Sequence, residues 1–279
     1  MQNKGPVNCT QKKIGFFESE RDIADAMFAA VGLREGQRHP LAFLMEACDD
    51  ICYSMIDAED VIKKCIVSVQ DLISYLKTQG GSDPEVNRIV ANAESYFDEY
   101  RSLGLSSSEI NDVTTQRIRV DVVGSCLDAT FEEFVKHEGA ILTGTHGTSL
   151  IDGSSAATLV KVLKDFDRLH AYSARPVRQL ELKGYNAIRE VMSQLWKGIE
   201  RRECQLLNGS VPTRDPYSKY TYSRVSEGYR RAYESRVKKP GSLAPRYYSL
   251  QLLCDMVSGM TDNYLLEVRD DFRSYKDGA

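Results

Sequence analysis

Apolar residues recur at three- and four-residue spacing along almost the whole chain, and the strict alternation of a half-buried strand is absent. The pattern predicts helix after helix. Ser19 offers a cap for a helix over about Glu20 to Val31, followed by the Gly-rich loop GLREGQRHP. Pro40 suits the first turn of the next helix, which runs to about Lys64 with a break near Glu59. SVQDLISYLKT and a GGSDPE turn follow, and Asp83-Pro84 starts another helix. A long helix capped by serines covers SSSEINDVTTQRIRVDVVGSCLDATFEEFVKHEGAIL, and TGTHGTSLIDGSS reads as a loop. AATLVKVLKDFDRLHAYS and RPVRQLELKGYNAIREVMSQLWKGI are helical; NGSVPTRDPYSKYTYS reads as a loop rich in Tyr and basic residues. The last helices include RYYSLQLLCDMVSGMTDNYLLEVRDDF. No repeat or low-complexity tract interrupts this order, and the fold class is all-α.

The stretch HPLAFLMEACDDICYSMIDAED, His39 to Asp60, departs from an ordinary amphipathic helix. Its apolar arc is wide, yet it carries Glu46, Asp49, Asp50, Asp57, Glu59 and Asp60. Burying a carboxylate is costly unless a partner neutralises it. Asp49, Tyr53 and Asp57 recur every four residues and line one stripe. The ordinary explanation is a solvated helix face, but so wide an apolar arc argues that the stripe faces a polar cleft. One helical turn rises about 5.4 Å, so Asp49 and Asp57 lie about 12 Å apart along the axis and cannot share one ion. An extended ligand with unlike ends, such as a nucleotide, matches that spacing.

Composition narrows the partners. Lys+Arg is 36 and Asp+Glu is 40, a net charge of -4, so no global basic bias announces a nucleic-acid or membrane surface. A polyanionic substrate needs local Lys/Arg or a metal ion. The 7 cysteines form no zinc framework, and Cys48 and Cys52 read as small core residues. Their odd number and the lack of a secretory signal fit a reducing cytoplasm. No apolar stretch reaches transmembrane length. None of the 4 histidines is followed by Asp, and each reads as a cap, loop or packing residue. The Tyr and Lys/Arg mixture around Tyr217, Tyr220 and Tyr222 is a weak pointer to single-stranded nucleic acid; a subunit contact or packing explains it better.

The His39–Asp60 stretch closely resembles the last metal-site helix of the HD-domain dNTP triphosphohydrolases, most of all the bacterial deoxyguanosinetriphosphate triphosphohydrolase (dGTPase) branch. The likeness continues through KKIGFFESE, HAYSARPVRQLELKGY and LLCDMVSGMTDNYLLE, so ordered blocks cover nearly the whole chain. The resemblance implies an all-α HD-domain-like architecture, with residues 1–14 as linker and 15–279 as the C-terminal part of such a domain. It implies a divalent metal, Mg²⁺ or Mn²⁺, with Asp49 as the last ligand of a set that includes a His and a His-Asp pair. It implies that Tyr53 packs on the deoxyribose and that Asp57 accepts a hydrogen bond from the sugar 3′-hydroxyl. Lys13, the second Lys of KK, is implied to reach the triphosphate; most Lys pairs are merely solvated. Tyr172 is implied to pack on the base and Glu181 to accept its hydrogen bonds. Read without the resemblance, these are a surface Tyr and a helix-face Glu. A carboxylate suits guanine, which offers adjacent N–H donors on its Watson–Crick edge.

The implied reaction is hydrolysis of dGTP to deoxyguanosine and tripolyphosphate. The first His and the His-Asp pair have no counterpart in the chain, which begins in the linker before KKIGFF. A truncated record, an internal start, or a split gene whose partner supplies the rest would each account for that. One carboxylate does not hold Mg²⁺ or Mn²⁺ firmly, so the chain alone is expected to be a poor catalyst or none. The expected partners are a dNTP and either an upstream fragment or further copies in a homo-oligomer. The alternative is a non-catalytic relic that binds nucleotides or packs against a full-length homologue.

Overall fold

The computed structural model describes residues 15–34, 37–209, 215–238 and 243–276. They contain helices and connecting turns, with no strand among them. The order is α1 (Arg21–Ala30), α2 (Pro40–Lys63), α3 (Val69–Gln79), α4 (Pro84–Ser102), α5 (Ser107–Leu142), α6 (Leu150–Gly153) and α7 (Ala157–Phe166). A π-helical turn, Asp167–Ala171, extends α7. Then come α8 (Arg175–Asn208), α9 (Pro216–Ser223), α10 (Glu227–Val237), α11 (Pro245–Ser258) and α12 (Asp262–Lys276). The chain divides into two compact units, the first ending at Val177 and the second starting at Arg178.

Local chemistry sets most helix starts. Pro40 and Pro84 occupy first turns, and the Asp83 carboxylate accepts from the Glu85 and Val86 N–H groups. Ser106 and Glu109 form a reciprocal capping box at the head of α5. Four boundaries differ from the expectation. The expected loop TGTHGTSLIDGSS contains α6, whose start Ser149 caps by accepting from the Asp152 N–H. Ser19 falls inside a 3₁₀ turn, Glu18–Glu20, and α1 starts at Arg21 without a side-chain cap. The expected loop before Ser223 contains α9, because Asp215 caps Pro216 by accepting from the Tyr217 N–H at 3.0 Å. Finally, α2 does not break at Glu59.

In the first unit α2 is the centre, packing against α5, α6, α7 and the π-helical turn. Phe43, Ala47, Ile51, Met55, Ala58 and Ile62 form its buried stripe. Glu59 lies on that side, only 3 % exposed. It stays in the helix because Lys63 Nζ lies 2.7 Å from its Oε1 and Arg119 of α5 donates to its Oε2 at 2.6 Å. The histidines take structural places. His39 caps α2, His137 meets Glu133 at 3.0 Å, His146 packs edge-on against Phe43, and His170 packs on Phe166 and Tyr75.

The second unit has its own core. Ala187, Val191, Leu195 and Ile199 line one side of α8 and meet Leu252, Met256, Val268 and Phe272. Gly198 permits a close approach of α9: a Cβ there would lie 2.5 Å from the Tyr222 nitrogen.

The Glu59 arrangement has a measurable consequence. Arg119→Met leaves a buried carboxylate with Lys63 alone, and since Arg119 is part-exposed we expect a loss of about 1–3 kcal/mol. Adding Glu59→Gln to that variant should recover part of it. Urea unfolding of both single variants and the double variant checks this; additive effects would mean the pair is not coupled.

Candidate functional site

The partly apolar helix α2 keeps one side open. Leu41, Met45, Cys48, Cys52, Tyr53 and Ile56 are exposed, with Asp49 among them. One expectation is thereby corrected. Cys48 and Cys52 are not core residues, because the buried stripe passes through the neighbouring Ala47 and Ile51. The Asp49–Tyr53 stripe borders an open cleft of about 820 Å³ with a mixed lining: Phe28, Leu33, Met45 and Ile56 stand beside Gln37, Arg38, His39 and Glu46.

Each acid of α2 that lies near this face meets a partner. Arg38, in the segment before the helix, pairs with Glu46, and its guanidinium lies 5.3 Å from the Phe43 ring centroid. Lys164 of α7 reaches Asp50 at 2.9 Å. Asp57 accepts a hydrogen bond from the Tyr172 hydroxyl across 115 residues of sequence. Two residues singled out in separate segments are therefore in direct contact. Lys13 lies outside the described residues. Glu181 sits near the start of α8, in the second unit, with its side chain exposed.

Beside Asp57 is a residue that sequence reasoning missed. Asp167, 2 % exposed, begins the π-helical turn, and its Oδ1 has no hydrogen-bond partner. Its backbone carbonyl accepts from the Tyr172 N–H at 2.9 Å. Burial, helped by the nearby Asp57 charge, pushes the Asp167 carboxyl up to about 8. The hydrogen bond to Asp57, burial and the adjacent acids push the Tyr172 phenol above its ordinary range. A π turn carries one extra residue per turn and often marks a functional site. Phe166, fully buried against Tyr75 and His170, holds the turn in place. The missed signal was an acid at the buried phase of α7, four residues beyond Leu163.

No group of three or more His, Cys, Asp or Glu residues able to hold a metal ion occurs among the described residues. Mg²⁺ and Mn²⁺ prefer about six ligands, mostly oxygens and waters. Asp49 and its described surroundings therefore do not by themselves fit such an ion. No helix among the described residues is long and apolar enough to cross a membrane.

No family model matches the chain. Curated proteins named deoxyguanosinetriphosphate triphosphohydrolase do match it. Those of Yersinia enterocolitica serotype O:8 and Yersinia pseudotuberculosis serotype O:3 are 28% and 29% identical to it, over 92% of this chain and 53% of their own length. That of Yersinia pestis strain Pestoides F is 29% identical over the same shares. The chain is a homologue of these proteins and spans about half their length.

The raised Asp167 carboxyl gives a stability prediction. The folded chain retains a proton that an unfolded Asp loses above pH about 4. Stability therefore falls as pH rises from there towards about 8, the folded value, and then levels off. Asp167→Asn removes this decline. We expect it to be nearly neutral at pH 4 and stabilising by on the order of a few kcal/mol at pH 8.5. Urea midpoints at both pH values check this; parallel profiles would mean that Asp167 is ionised at little cost.

Proposed function

We propose that this chain, a homologue of the deoxyguanosinetriphosphate triphosphohydrolases, carries the sugar and base side of a site that hydrolyses dGTP to deoxyguanosine and tripolyphosphate. The observation that carries the reading is the open face of α2. Asp49, Tyr53 and Asp57 follow one another there at single-turn spacing, and Tyr172 arrives at Asp57 from a distant segment. Along that face a nucleotide would run with its phosphates towards Asp49, its deoxyribose on the Tyr53 ring and its 3′-hydroxyl on Asp57. The stacked ring leaves little room at C2′, which disfavours a ribose.

In this reading Tyr172 flanks the base. Lys13 would supply a mobile point charge for the triphosphate. Asp49 would supply one oxygen to a divalent ion, Mg²⁺ or Mn²⁺. Further ligands would come from the part of the relatives that this chain does not match, whether in one polypeptide or from a partner.

Two outcomes test the reading. Purified chain 1–279 should release no tripolyphosphate from dGTP, with or without Mg²⁺ or Mn²⁺. Turnover that Asp49→Ala abolishes would mean that the chain is self-sufficient. In titrations observed by NMR, dGTP should bind more tightly than GTP, and Tyr53→Ala should narrow that difference several-fold. An unchanged preference would leave Tyr53 as an exposed ring with no part in sugar selection.

A further inference from the structure

Asp57 already has the kind of partner that a sugar would offer. The Tyr172 phenol and a sugar hydroxyl are each a single O–H donor, and a carboxylate accepts both in the same way. We propose that the Tyr172 hydroxyl is a built-in occupant of the Asp57 acceptor, standing where the sugar 3′-hydroxyl is to sit, so that a nucleotide gains that contact only by displacing it. This rests on the reading that Asp57 accepts the sugar hydroxyl, and it assigns Tyr172 a specificity role beyond packing on a base.

The surroundings suit such an exchange. Tyr172 is 48 % exposed, so its ring has solvent into which to turn. It follows directly on the π-helical turn, whose extra residue aims it at α2. Its N–H remains bonded to the Asp167 carbonyl at 2.9 Å, so the side chain can leave Asp57 while the backbone stays anchored. Asp167, buried and without a partner for Oδ1, is the member of the acid pair that keeps its proton. Asp57, by contrast, is the acceptor that the Tyr172 hydroxyl reaches, and its oxygen needs a donor. Whichever hydroxyl is present meets that need, and the exchange of one for the other is close to neutral.

Binding of dGTP therefore gains little from its 3′-hydroxyl in the wild-type chain, because one donor replaces another. Tyr172→Phe keeps the ring and removes the competitor. Affinities of wild type and Tyr172→Phe for dGTP and for 2′,3′-dideoxyguanosine triphosphate test this. The preference for dGTP over the dideoxy compound should rise roughly tenfold in Tyr172→Phe, the worth of a hydrogen bond to a charged group. A preference that is unchanged or smaller would overturn the proposal. Failure of the underlying reading looks different: neither protein would distinguish the two nucleotides, and Asp57→Asn would change nothing. A nucleotide-free readout stands beside it. In chain labelled at the tyrosine ring carbon, Tyr172 should remain protonated at pH 10.5 and ionise in the ordinary tyrosine range in Asp57→Asn. Ordinary ionisation of Tyr172 in the wild type would overturn the proposal whatever the nucleotides do.

Discussion

A helix that is apolar around most of its circumference yet dense in carboxylates is stable only if each acid near the interior finds a donor or a cation. In α2 those partners come from different places. Arg38 precedes the helix, Lys164 comes from α7, Arg119 from α5, and the Tyr172 hydroxyl from beyond the π-helical turn. Neutralising the acids and assembling the first unit are thus one process. The hydrophobic stripe from Phe43 to Ile62 supplies the burial, and the polar contacts fix which neighbour lies beside which turn. In the second unit α8 carries its own buried acid, Glu203, which Arg246 of α11 approaches at 3.3 Å, beside an apolar core.

Much of this was legible in the sequence. The three- and four-residue spacing identified the helices, and Pro40, Asp83-Pro84 and the serines before α5 marked their starts through local hydrogen bonds. Where the sequence reading failed, a distant partner usually decided the outcome. Glu59 looked like a break because a lone acid disrupts an apolar face, and Arg119, 60 residues away, removes that cost. Cys48 and Cys52 looked internal because α2 is apolar on both sides; periodicity cannot say which side meets α5 and α7. Helix α9 was hidden by its Tyr and basic content, although the Asp-Pro cap was present in the sequence. At the candidate site, spacing alone gave the Asp49–Tyr53–Asp57 stripe. The contact with Tyr172 and the burial of Asp167 depend on a π turn for which no simple pattern is known.

Likeness to the dGTP triphosphohydrolases extends over 92% of the chain but only 53% of the Yersinia enterocolitica relative. On α2 the described residues include the Asp49–Tyr53–Asp57 stripe and the Asp57–Tyr172 contact, and no group of three or more His, Cys, Asp or Glu residues able to hold a metal ion occurs among them. Met45 and Ile56, exposed on α2, give the cleft apolar walls.

The central claim is that the open face of α2 receives a deoxynucleotide through its sugar. Chemical-shift mapping of the labelled chain with dGTP addresses it most directly, since even weak binding leaves a residue-level footprint. The largest changes are expected at Tyr53, Asp57 and Tyr172, with much smaller ones at the same positions for GTP. An absence of shifts on α2, or equal footprints for dGTP and GTP, would contradict the account.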